Sequence, residues 1–241
     1  MTPPGTLYVV ATPIGNLEDI TLRALRILRE CAVIAAEDTR TARKLLERHG
    51  IATPCVSCHE HSGGKRLEEI LGHLRGGRSV AVVSEAGTPG ISDPGEPLVR
   101  AAAAAGIPVV PVPGAVAFVT ALSASGLPTE RIAFEGFLPS RAAERRARLD
   151  LLVREGRTLA FYESPHRLAG MLADLAAALG PDRPACVARE LTKIHEEFDR
   201  GTLGELAARW GTRDPRGEFT VLVAGAVESA KLLELDLEAL G

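Results

Sequence analysis

The chain has 241 residues, 46% of them hydrophobic and 24% charged, which is a globular composition with enough chain for one large or two modest domains. A net charge of -3 announces no nucleic-acid partner, so any basic surface must be local. No apolar run approaches the ~18 residues of a membrane span, and Met1-Thr2-Pro3-Pro4 lacks the basic and apolar regions of a signal peptide. The expectation is a cytoplasmic protein, with no membrane partner and with Cys31, Cys55, Cys58 and Cys186 reduced.

Gly5 to Ala11 reads as a first strand, buried on both faces, running into a tight turn at Thr12-Pro13-Ile14-Gly15-Asn16. Asp19 or Thr21 then caps a helix with Leu22, Leu25, Ile27 and Leu28 on its buried side. Ala32 to Ala36 is a second strand, ending in Glu37-Asp38-Thr39-Arg40; a helix from Thr41 to His49 follows and stops at Gly50. Two acids and an arginine at a strand's carboxyl end fit either a site wall or a capping acid with its paired arginine. Cys55-Val56-Ser57-Cys58-His59, with His61, has the look of a haem or zinc motif. Haem attachment needs export, and zinc would need all four ligands within seven residues, so no metal is expected.

A helix from Lys65 to Leu74 leads to the strand Ser79 to Val83, which opens into Ser84 to Gly95. That loop holds Gly87, Gly90 and Gly95 with Pro89 and Pro94. Glycines let backbone approach a ligand, prolines fix the turns, and the carboxyl end of a strand is where open α/β sheets bind ligands. After a helix from Glu96 to Ala105, the strand Ile107 to Val112 passes through Pro113-Gly114-Ala115 into a small-residue helix, Val116 to Ser125. Strands alternating with helices predict a parallel, helix-covered sheet this far. The domain division expected is 1–125 and 126–241, both α/β.

In the second half, Ala133 to Phe137 reads as a strand. Arg141, Arg145, Arg146, Arg148, Arg154 and Arg157 then make the densest positive cluster, set against Glu144, Asp150 and Glu155. It is either a solvated helix face or a surface for phosphate backbone. Thr158 to Tyr162 is a strand ending in Glu163-Ser164-Pro165-His166-Arg167, and Pro165 suits the first turn of a helix reaching Leu179. Ala185 to Ala188 is a strand, Leu203 to Trp210 a helix, Gly217 to Val223 the last strand and Glu228 to Leu240 a short amphipathic helix.

Six segments stand in a telling order. They are Ala11-Thr12-Pro13-Ile14-Gly15-Asn16-Leu17, Glu37-Asp38-Thr39-Arg40, Ala86 to Gly95, Phe161 to Arg167, Ala188 to Lys193 and Gly217-Glu218-Phe219. Together they resemble the RsmI family, small-subunit (16S) ribosomal RNA 2′-O-methyltransferases of the tetrapyrrole-methylase superfamily that act on a decoding-centre cytidine. The resemblance runs from about Thr6 to Val223. It implies a two-domain tetrapyrrole-methylase-like (class III) methyltransferase fold, S-adenosylmethionine in the cleft between the domains, and a homodimer. It implies cofactor contacts at Pro13, Ile14, Gly15, Gly87, Thr88, Ile91, Asp93, Gly114, Val116 and Ala117, and at Tyr162, Leu191 and Thr220. The sequence departs from the family pattern at Glu85, usually aspartate; at Val116, usually serine; and at Cys58, often aromatic. Its tail is shorter than in members with an extra C-terminal helical domain.

A ribose hydroxyl is a poor nucleophile, so a base or a desolvated acceptor should assist its methylation. Glu37, Asp38, Asp93, Glu163, His166 and Glu190 qualify, with Glu163 and His166 preferred as catalytic residues. Arg40, Arg167, Arg189 and Lys193 are expected to bind RNA, with Arg141, Arg145 and their neighbours as a peripheral contact to 16S rRNA in the small subunit. Two other readings stay open, a methylase of a tetrapyrrole or other small molecule and a non-catalytic ribosome-binding protein. The absence of a Gly-x-Gly-x-x-Gly after the first strand argues against a Rossmann dehydrogenase.

Overall fold

The computed structural model describes residues 3–58, 63–93 and 95–226. His59, His61, Pro94 and the expected tail helix lie outside them. The chain divides between Ala117 and Phe118 into two compact units.

The first unit carries β1 (Leu7–Val10), β2 (Val33–Ala36), β3 (Cys55–Ser57), β4 (Val80–Val83) and β5 (Val109–Val112). They form one sheet in the order β3-β2-β4-β1-β5, parallel at every pairing. Its helices are α1 (Leu22–Glu30), α2 (Thr39–Arg48), α3 (Gly63–Arg75) and α4 (Glu96–Ala104). Alternate strand residues feed two cores. Val10, Ile34, Ala36, Ala81 and Val83 pack with Ala24, Ile27, Leu28 and Leu46 of α1 and α2. Leu7, Val33, Ala35, Val80 and Val82 pack with Ile70, Leu74, Leu98 and Ala102 of α3 and α4. Burial of β2 and β4 on both faces explains their unbroken apolar runs.

Thr21 caps α1, accepting from the Ala24 amide at 3.0 Å. Leu22, expected on the buried side, is 87% exposed. At ~100° per residue it falls opposite the stripe of Ala24, Ile27 and Leu28. β3, a three-residue edge strand, was not foreseen, because so short a run carries no period.

The second unit carries β6 (Ile132–Phe137), β7 (Thr158–Glu163), β8 (Pro184–Arg189), β9 (Glu197–Thr202) and β10 (Phe219–Val223). Their order is β6-β7-β10-β8-β9, with β6 and β7 parallel and the other pairs antiparallel. Helices α6 (Ala142–Asp150), α7 (Pro165–Leu179) and α8 (Leu203–Gly211) share one core with this sheet, built from Leu149, Leu168, Met171, Leu172, Leu175, Leu206 and Trp210 against Phe161, Val187 and Val221. Helix α5 (Ala117–Ser125) is held by Arg200, whose guanidinium donates to the carbonyls of Ala124 at 2.5 Å and Ser125 at 3.0 Å. The edge strand β9 escaped sequence reading because its residues, Glu-Phe-Asp-Arg-Gly-Thr, are mostly polar.

Candidate functional site

In the first unit the chain leaves β1 for α1 on one face of the sheet and leaves neighbouring β4 for α4 on the other. Such a reversal opens a crevice at the strand ends, the place where open α/β sheets bind ligands. The two loops that border it are tied together. The Thr12 amide donates to the Gly87 carbonyl at 2.8 Å, and the Gly87 amide donates back at 3.1 Å. Gly87 has φ +79°, and a Cβ there would stand 3.3 Å from Ile14 Cγ2 and 3.4 Å from the Ala115 carbonyl oxygen. Thr88 Oγ1 donates to that carbonyl at 3.2 Å. At Gly114 a Cβ would lie 2.8 Å from Ala11 Cβ, so only glycine fits. The structure thus gathers Pro13, Ile14, Gly15, Gly87, Thr88 and Gly114 around one backbone cradle, with Ile91 and Asp93 on the same loop.

Carboxylates flank the cradle. Burial pushes the Asp93 carboxyl up to about 6, the nearby Glu85 charge adds to this, and a hydrogen bond from Ser84 opposes it. Burial raises Glu37 too, followed by the charge of Asp93. Asp38 is the N-cap of α2, taking the Arg40 amide at 2.7 Å and its guanidinium at 2.7 Å. Those hydrogen bonds hold Asp38 down at about 2. Of the two readings of Glu37-Asp38-Thr39-Arg40, capping describes Asp38 and Arg40, while Glu37 faces Asp93.

In the second unit Thr220 pairs across the ladder with Tyr162 on one side and Ala188 on the other. Direct partners share a sheet face, so Tyr162 and Thr220, 58 positions apart in sequence, become neighbours. The Tyr162 hydroxyl accepts from the Phe118 amide at 3.2 Å, and its ring meets Phe134 and Phe137 edge-on. Leu191 is buried in a turn where Glu190 and Thr192 take φ of 49° and 68°. Glu190 Oε1 accepts from the Glu218 amide at 3.0 Å and from Lys193 Nζ at 2.8 Å. Burial opposes ionisation of Glu190, but these partners and their charge lower its pKa overall. Gly217, at φ +95°, is obligatory because the Glu190 carboxylate occupies the space a Cβ would need. The segments Ala188 to Lys193 and Gly217 to Phe219 mark the two sides of this contact, but neither alone reveals that they meet.

The Glu163 side chain is fully buried, 3.2 Å from Arg167, and accepts from the Ser164 amide at 2.8 Å. Arg167 donates to the Leu138 carbonyl at 2.6 Å. His166 is exposed on the first turn of α7. Arg189 pairs with Glu197 at 3.4 Å and Lys193 with Glu218 at 2.5 Å. Arg145 is 12% exposed and paired with Asp174, whereas Arg40 and Arg141 are 87% and 83% exposed.

Known proteins share this architecture. Residues 6–207 match the family model for Tetrapyrrole (Corrin/Porphyrin) Methylases. A "Ribosomal RNA small subunit methyltransferase I" from Pseudomonas aeruginosa is 54% identical over 224 residues, 92% of this chain and 79% of that protein. The chain belongs to the ribosomal RNA small subunit methyltransferase I family, within the tetrapyrrole methylases. Another member of this family, from Synechocystis, is 51% identical over 222 residues, 92% of this chain and 80% of the relative. The tetrapyrrole-methylase fold is equally plain in the crystal structure of uroporphyrin-III C-methyltransferase from Thermus thermophilus complexed with S-adenosyl homocysteine. That structure has a TM-score of 0.62 and 22% identity, covering 91% of this chain and 97% of that one. Among the described residues no helix is long and apolar enough to cross a membrane, and no group of three or more His, Cys, Asp and Glu is placed to hold a metal. The four cysteines are free thiols, and burial pushes Cys31 up to about 11.

Proposed function

We propose that the protein is an S-adenosylmethionine-dependent methyltransferase of small-subunit ribosomal RNA, and that it methylates the ribose 2′-oxygen of a cytidine in the decoding centre of 16S rRNA. The observation that carries this reading is the glycine cradle at the β1/β4 strand ends, in a chain 54% identical to a ribosomal RNA small subunit methyltransferase. The cradle fits the cofactor: Gly87 and Gly114 leave backbone open where any side chain would intrude. Pro13, Ile14, Gly15, Thr88, Ile91, Asp93, Val116 and Ala117 would contribute to holding it. In the second unit Tyr162, Leu191 and Thr220 are the proposed contacts.

When bound, S-adenosylmethionine supplies a methyl group activated on a sulfonium. Aligning the acceptor oxygen with that carbon is the chain's main task and removes several kcal/mol of barrier. The two residues first considered for proton handling divide their work. His166 is exposed, so it is the proposed acceptor of the hydroxyl proton. Glu163 is sequestered with Arg167, so it is the proposed positioning group, fixing the start of α7 against Leu138. Arg40 and Arg141 are exposed, though paired with Asp38 and Glu144, and are proposed to meet RNA, while Arg145, Arg167, Arg189 and Lys193 are proposed to hold the fold that presents them. A homodimer is proposed from the family resemblance. Cytoplasmic location follows from the substrate.

The experiment is a pair of substitutions. His166→Ala should lower kcat at least tenfold with unchanged melting temperature and cofactor affinity. Glu163→Gln should lower the melting temperature as well. An unaffected kcat in His166→Ala would remove that residue from the chemistry.

A further inference from the structure

The densest positive run of the sequence, around α6, is largely neutralised in the fold. Arg145 and Arg146 share Asp174 at 2.7 and 3.4 Å, Arg148 meets Glu135 at 2.6 Å, and Arg141 meets Glu144 at 3.0 Å. Paired charges at these distances cancel within a Debye length, ~8 Å at physiological salt.

Helix α2 is the opposite case. Arg40, Lys44 and Arg48 recur at four-residue intervals and so form one ridge, with Arg43 beside it. All four are exposed. Among the described residues Arg43, Lys44 and Arg48 have no ion-pair partner, and Glu47 is the one acid on the helix. Arg29, donating to the His49 carbonyl at 3.0 Å, adds a further cation where α2 ends. The apolar residues Ala42, Leu45 and Leu46 are all turned into the core. The outer face therefore offers cations without the apolar or aromatic anchors of a protein interface. Its ridge runs ~12 Å along the helix axis from Arg40, just past the Asp38 cap that follows β2 and Glu37, at the strand ends where the glycine cradle lies. The Glu37 amide there donates to the Val83 carbonyl at 3.3 Å.

We propose that the outer face of α2, with Arg43, Lys44 and Arg48 unpaired and Arg40 held by Asp38 at its near end, is a track for RNA phosphates leading to the cradle. The proposal rests on the RNA-methyltransferase reading above. It assigns most of the electrostatic grip to this helix rather than to the arginines of α6.

The test measures affinity of the full chain for transcribed small-subunit rRNA, and for undermethylated small subunits, across a salt series. Phosphate contacts set the slope of log affinity against log salt, at about 0.7 per contact for single strands. Lys44→Ser and Arg48→Ser should each reduce the slope by that amount, and Arg43→Ser/Lys44→Ser/Arg48→Ser by about 2. The triple variant should raise KM for RNA while leaving kcat, KM for the cofactor and the circular dichroism spectrum unchanged. An unaltered slope in the triple variant, or a larger loss in Arg141→Ser/Arg146→Ser, would overturn the proposal. So would loss of subunit binding with naked-RNA binding intact, which would point to a ribosomal protein. Absence of any RNA binding by the parent chain would overturn it as well. If RNA binds with the predicted slopes but no methyl is transferred to it, the track stands and the methyltransferase reading fails.

Discussion

At the scale of single residues, the site is a contrast between groups fixed by neighbours and groups left available. Asp93 is the sharpest case. A carboxyl raised to about 6 binds its proton more tightly folded than unfolded, so the folded state gains from protonation. Stability should therefore decline as pH rises from about 4, the ordinary aspartate value, through 6. Asp93→Asn removes that dependence and keeps the acceptor for Ser84. Its melting temperature should exceed the parent's at pH 7.5, and the gain should shrink at pH 4.5. Equal differences at both pH values would show that Asp93 is not desolvated. At Gly217 the backbone dictates the residue. Gly217→Ala should cost about 1–3 kcal/mol for the positive φ alone, plus the collision with Glu190. Denaturant titration of Gly217→Ala/Glu190→Ala should recover the collision part, and a purely additive double variant would deny the contact. Capping was one of the two readings open for Asp38 and is the one the fold adopts, and the unusual backbone at Gly87 was legible from its glycine-rich loop. The Glu190–Gly217 contact was not, because it joins residues 27 positions apart through a backbone conformation no composition reveals.

At the scale of elements, legibility followed periodicity and burial. The central strands β2 and β4 are buried on both faces, so they and neighbouring β1 stand out as apolar runs, and their parallel arrangement follows from the helices between them. Edge strands β3 and β9 are short or polar and left no such trace. Helix α1 was placed correctly, but its buried stripe was misassigned at Leu22, since a first-turn leucine can fall on either side. The energetics should follow the observed stripe. Leu172→Ala, in the fully buried row of α7, should cost about 2–5 kcal/mol. Leu22→Ala should stay within about 0.5 kcal/mol. Denaturant midpoints for the two variants check this, and comparable losses would contradict the packing described. For α6 and α2, sequence density of arginine misled, because charge available to a partner depends on which acids the fold brings near. Asp174 and Glu135 come from α7 and β6, and no local window contains the pairs they make with α6.

At the scale of the whole molecule, the first unit supplies a helix-flanked parallel sheet with a crevice at its strand ends. The second supplies a mixed sheet that sets Tyr162 beside Thr220. The motif order was enough to indicate the family, and identity of about half the residues with its members establishes it. The crossing of chain from β1 and β4 to opposite faces, which makes the crevice, was not visible, since strand order depends on long-range pairing. The activity proposed for the molecule is methyl transfer to ribosomal RNA. The most direct measurement incubates the purified chain with methyl-labelled S-adenosylmethionine and either undermethylated small subunits or naked small-subunit rRNA, then maps the label by nuclease digestion and mass spectrometry. Label is expected on the ribose 2′-oxygen of a single decoding-centre cytidine. Label on a base, or no label on either RNA while calorimetry shows the cofactor bound, would contradict it.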